Sequence, residues 1–93
     1  MTEKAVRVVI EGRVQGVWFR GWTIDEAQRR GLRGWVRNRR DGSVEALFAG
    51  EAAQVDDMVR ACRRGPPAAR VDTVGVHTAE DPGGQGFMHL PTA

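Results

Sequence analysis

Two short segments of the chain hold residue types that could do chemistry. The first, Gly12-Arg13-Val14-Gln15-Gly16-Val17-Trp18-Phe19-Arg20, sets two glycines ahead of an arginine. A glycine-bearing loop between a strand and a helix can turn successive backbone N–H groups toward one point, which makes a concave anion site. The N-terminus of the following helix adds partial positive charge. Arg20 would add a planar, permanently charged fork whose geometry matches phosphate oxygens. On its own the loop is explained more simply as a connection with a surface arginine, since turn formation accounts for the glycines.

The second segment is Gly34-Trp35-Val36-Arg37-Asn38, followed by Gly42-Ser43-Val44 and Gly50. Asn38 stands where a strand enters a hairpin, and asparagine is a common turn former. Trp35 and Val36 read as packing residues. Arg37, Arg39 and Arg40 read as solvated charges able to steer anions. Neither segment is a nucleotide motif. The Gly-Lys-Ser/Thr of a phosphate-binding P-loop is missing, and Gly12 and Gly16 lack the G-x-G-x-x-G spacing of a dinucleotide site.

The elements that must position these segments follow from periodicity. Val6, Val8 and Ile10 alternate with Arg7, Val9 and Glu11, which predicts a half-buried strand before the loop. Thr23-Ile24-Asp25-Glu26 has the capping-box spacing and predicts a helix start near Thr23, with Ile24, Ala27 and Gly31 facing inward. Trp35 to Asn38 and Val44 to Phe48 predict a hairpin turned at Asp41-Gly42. Ala52, Val55, Met58, Val59 and Cys62 recur at helical spacing until Gly65-Pro66-Pro67 stops them. Val71 to His77 reads as a fourth strand, and Phe87 to Leu90 as a short last one. The order β-α-β-β-α-β predicts an α+β, ferredoxin-like split βαβ fold in one domain over residues 1–93, an antiparallel sheet with two helices on one face.

Composition narrows the class. With 93 residues, 41% hydrophobic and 28% charged, the chain fits one soluble globular domain. Cys62 is the only cysteine and falls on the apolar helical face, so it reads as a core residue and not as a nucleophile. His77 and His89 are the only histidines, and no Cys/His ligand spacing exists, so no metal or other cofactor is expected. The first ten residues resemble neither a signal peptide nor a membrane span, which predicts a cytoplasmic protein without a membrane partner. The net charge of +2 hides an asymmetry. Residues 13–40 carry eight arginines against Asp25 and Glu26, whereas residues 41–93 carry four arginines against eight acids. A basic middle third is either a solvated face or an attractor of anions.

Taken together, the two segments resemble the acylphosphatase family. Its first motif, G-x-V-Q-G-V-x-(F or Y)-R, is matched at every position of residues 12–20. Its second, G-(F, Y or W)-V-x-N followed by G-x-V and a further glycine, is matched by residues 34–50. Gly65-Pro66-Pro67-Ala68 and Val71 also resemble the family's link into its fourth strand. The likeness spans roughly residues 6–90 and favours the functional reading of both segments. It implies a metal-independent hydrolase that cleaves the carboxyl–phosphate bond of acyl phosphates and releases inorganic phosphate. By the same likeness Arg20 is the catalytic arginine and phosphate ligand, and Asn38 holds the attacking water. The backbone N–H groups of Gln15, Gly16, Val17, Trp18 and Phe19 form the phosphate cradle. A monomer is expected. His89 departs from the family, which usually has an apolar residue there; this is expected to affect the packing or register of residues 87–90 and not the active site.

Two rival readings belong to other classes. A non-catalytic phosphate-binding or protein-interaction domain of the same fold is distinguished only by a turnover assay. An RNA-binding module shares the element order but needs aromatic platforms on its central strands. The first strand has no aromatic residue and the third has only Phe48, so nucleic acid is not an expected partner.

Overall fold

A computed structural model of the protein describes residues 2–93. The elements run β1 (Glu3–Arg13), α1 (Phe19–Arg29), β2 (Arg33–Asn38), β3 (Val44–Glu51), α2 (Ala52–Arg64), β4 (Arg70–Thr78) and β5 (Phe87–His89). They form one sheet in the order β4-β1-β3-β2-β5. The antiparallel arrangement expected from the sequence holds for β1 to β4, while β5 adds to the free edge of β2 in parallel, making the sheet mixed. Both helices lie on one face, α1 over β2 and β5, and α2 over β1, β3 and β4. This is the ferredoxin-like α+β architecture.

The predicted alternation decides which face of β1 is covered. Val6, Val8 and Ile10 are buried beneath the helices with Val36, Val44, Ala46 and Phe48. On α2, Val55, Met58, Val59 and Cys62 meet them at helical spacing. Each such large side chain contributes roughly 1.5–3 kcal/mol by leaving water, which is why these positions tolerate little polarity. Cys62 is fully enclosed, and burial pushes its thiol up to about 12, so it is an inert packing group. At the end of α2, Gly65 takes φ 68° and stops the helix before the two prolines, as expected.

The start of α1 differs from the capping-box expectation. The helix begins at Phe19, four residues before Thr23. Thr23 is fully buried and its hydroxyl donates to the Phe19 carbonyl at 2.8 Å, a bond back along the helix. Glu26 does not reach back to Thr23; its carboxylate takes bonds from Arg29 and Arg30. The inner face is therefore Phe19, Thr23 and Ala27, and Gly31 lies beyond the helix at φ 69°. The connecting loop shrinks to residues 14–18, because β1 also runs on to Arg13. Strand β3 runs on past Phe48, so Gly50 lies inside it.

The uncovered face of the sheet absorbs much of the basic excess. Glu45 of β3 is nearly enclosed and accepts from Arg37 at 2.7 Å and Arg7 at 3.0 Å. Burial works to raise its carboxyl, but these two guanidinium bonds outweigh burial and leave it below the usual range. Arg37 also lies over the Trp35 ring, 4.9 Å from its centroid. It is thus an ion-paired sheet residue and not the solvated charge expected. Arg33 pairs with Glu3 and Asp81, and Arg30 bridges Glu26 of α1 to Asp57 of α2.

Candidate active site

The loop from β1 to α1 is pinned at both ends. Val14 and Phe19 are buried in the core, and Val17 packs against its edge. Between these anchors Gly16 takes φ 74° and Trp18 φ 67°, so left-handed residues stand on either side of Val17. Alternating backbone handedness of this sort turns neighbouring N–H groups to one side. Trp18 is the only residue other than glycine with positive φ among the described residues. It is also the N-cap of α1, which has no side-chain cap and no acid in its first turn. The first N–H groups of a helix have no partner within it. Among the described residues nothing accepts from the backbone N–H groups of Gln15 to Gly21; the first helical bond is Trp22 to the Trp18 carbonyl, 3.0 Å.

Gln15 supplies the link to the second segment. Its side-chain amide donates to the carbonyls of Arg39 at 2.7 Å and Ser43 at 2.9 Å, both in the β2–β3 connection. Asp41 tightens that connection by accepting from the Ser43 N–H and hydroxyl, at 2.9 and 2.6 Å. Asn38, the last residue of β2, pairs with Val44, and its carbonyl accepts from the Ala93 N–H at 3.0 Å. Its side-chain amide makes no hydrogen bond to another described residue. The loop and the strand end are therefore held in fixed relation by main-chain carbonyls and one glutamine.

Between them opens a cleft of about 280 Å³, whose polar wall is Gly16, Arg20, Asn38 and His89 and whose apolar wall is Val14, Trp18, Phe19 and Ile24. Arg20 and Asn38, the two side chains singled out from sequence, meet in this cleft. Gly16, Trp18 and Phe19 line it as well. Gln15 and Val17 do not; they can contribute only through their backbones. Trp18 is 64% exposed, and its indole lies across Gly21, where any Cβ would collide with the ring.

His89 was expected to bear on packing alone, and the structure corrects this. Its ring Nε2 is 2.8 Å from Nη1 of Arg20, across 69 residues of sequence. The signal was available in the alternation of β5: Phe87 is buried against the core, so His89, two residues on, shares the helix-covered face. The cleft wall contains no carboxylate and no thiol. Among the described residues no three His, Cys, Asp or Glu side chains are grouped to hold a metal ion. No helix is long and apolar enough to cross a membrane. Phe48, the aromatic of β3, points into the core and offers no platform for bases.

Comparison with known proteins points to one family. The acylphosphatase family model matches residues 6–89. An acylphosphatase of Rhizorhabdus wittichii is 53% identical over 88 residues, covering 95% of this chain and 89% of its own. One from Nitrobacter hamburgensis is 66% identical over 74 residues, 80% of this chain and 75% of its own. Among solved structures, acylphosphatase from Bacillus subtilis superposes with a TM-score of 0.90 at 36% identity, over 96% of this chain and 99% of that one.

Proposed function

The chain belongs to the acylphosphatase family, and from that premise we propose that its acyl phosphate hydrolysis takes place in the cleft between Arg20 and Asn38. Arg20 and the backbone N–H groups of Gln15 to Phe19 bind the phosphoryl group. Asn38 holds the attacking water by accepting a hydrogen bond at its side-chain carbonyl. The observation that carries this reading is that one cleft is lined by the loop with its run of unpartnered N–H groups, by the Arg20 guanidinium and by an asparagine amide without a protein partner.

These groups suffice because an acyl phosphate is a mixed anhydride. Its leaving group is a carboxylate of low basicity, so the departing oxygen needs no general acid. The water oxygen bonds to phosphorus as the bond from phosphorus to the acyl oxygen breaks, and the carboxylate leaves with the electron pair. The water's proton passes to a phosphate oxygen of the substrate, since Asn38 is not a base. Charge spread over the equatorial oxygens is met by Arg20 and the loop N–H groups, which are already oriented before the reaction.

The direct test is release of phosphate from benzoyl phosphate by purified protein in excess EDTA. Turnover is expected to persist, and an unactivated alkyl phosphate, whose alkoxide needs protonation, is expected to react poorly. Loss of all activity on chelation, with recovery on adding a divalent metal, would overturn the proposed site chemistry.

A second measurement separates binding from chemistry. Asn38→Ala should lower kcat by about 10²–10³-fold, the range found when one preorganised transition-state hydrogen bond is removed. The inhibition constant for inorganic phosphate should stay within about twofold. If phosphate binding vanishes while the protein remains folded, Asn38 is a ligand or a prop and not the water's holder.

A further inference from the structure

We infer that His89 is a positioning residue: its neutral imidazole accepts from Arg20 and holds the guanidinium in the orientation the cleft uses. The inference rests on the proposal that Arg20 binds the phosphoryl group. A guanidinium has only donors, so a 2.8 Å contact between Nη1 and the imidazole Nε2 requires the lone pair on Nε2 and the ring proton on Nδ1. Arg20 makes no other side-chain hydrogen bond to a described residue, so its Nε and Nη2 edge is left for a ligand. One end of the fork is thus fixed by the protein, and the other is presented to the phosphate.

A protonated ring could not accept from Nη1, so the contact belongs to the neutral imidazole. On the same face β2 presents Val36 and Asn38, and its Arg33 and Arg37 are paired on the far side with Glu3, Asp81 and Glu45, so no other charged side chain of β2 competes for the Nε2 lone pair.

The experiment compares wild type, His89→Gln and His89→Leu at pH 8 with benzoyl phosphate. It also includes the ring ¹⁵N spectrum of His89, assigned by its disappearance in His89→Leu. At pH 8, His89→Leu should lose about tenfold in kcat with little change in KM, because charge remains and alignment is lost. Glutamine, a neutral acceptor that does not titrate, should recover most of that loss. The spectrum should show the Nδ1–H tautomer in wild type and its loss in Arg20→Ala. A leucine variant with wild-type kcat, or a glutamine variant no better than leucine, overturns the inference. The spectrum keeps the two readings apart. The Nδ1–H tautomer in a protein without acyl phosphate turnover would sink the proposed function and leave the contact standing, whereas active protein lacking that tautomer would sink the contact alone.

Discussion

Arg20→Lys is expected to lose about 10³-fold in turnover, nearly as much as Arg20→Ala, although the positive charge is retained. The size of the effect is that of arginine removal in other phosphoryl-transfer enzymes. A guanidinium can donate to His89 from one end and fix two phosphate oxygens from the other, all in one plane. An ammonium is a mobile point charge with no such plane, so it restores attraction without alignment, and in-line attack depends on alignment. Folding should be unaffected, because the Arg20 side chain makes no ion pair, lines the cleft and is not part of the buried core. The check is turnover, phosphate inhibition and circular dichroism on the three proteins. A lysine variant within about tenfold of wild type would mean that diffuse positive charge is enough.

The largest effect on stability is expected at Gly34, far from any reacting atom. Gly34 sits in β2 with φ 136°, between β3 and β5. A Cβ there would run into the backbone carbonyl of Leu47 on the neighbouring strand and approach the Phe87 ring at 3.3 Å. Neither neighbour can give way easily. Leu47 is held by the β2–β3 ladder, and Phe87 stacks on Phe48 with centroids 5.5 Å apart. Gly34→Ala therefore combines a backbone clash with a disfavoured φ, mechanisms that together place it at about 4 kcal/mol or more. For a domain of this size that corresponds to a fall in Tm of about 15–30 °C. Gly83→Ala is the control, since Gly83 has positive φ but nothing within 4 Å of the point a Cβ would occupy, and should cost only about 1 kcal/mol. Thermal and urea unfolding of both variants decide the matter; similar losses for the two would show that crowding at Gly34 is not the cause.

How much of this was legible in the sequence differs by element. Strand β1 and helix α2 were readable because burial follows a single period in each, two for Val6, Val8 and Ile10, and 3.6 for Val55, Met58, Val59 and Cys62. Two long motifs singled out Arg20 and Asn38, which line one cleft, without saying what touches what. The start of α1 was misread because Thr-x-x-Glu is only half of a capping box. The other half is whether the glutamate is free to turn back, and here Arg29 and Arg30 hold it. The pairing of Arg37 with Glu45 depends on hairpin register, and that of Arg20 with His89 on which edge of the sheet the last strand joins. The parallel addition of β5 to β2 leaves no local trace in a three-residue strand, so its consequence for the cleft appeared only in three dimensions.

The enclosure of Cys62 has a practical corollary. It is the sole thiol of the chain, lies within α2 against the central strands, and is held far from its reactive thiolate form. An alkylating reagent can reach it only in molecules whose core has opened. The slow labelling of native protein therefore counts opening events, and its rate relative to that of the unfolded chain gives the free energy of opening. The fold carries its own stopwatch for core breathing, with no engineered probe and no reagent at the cleft.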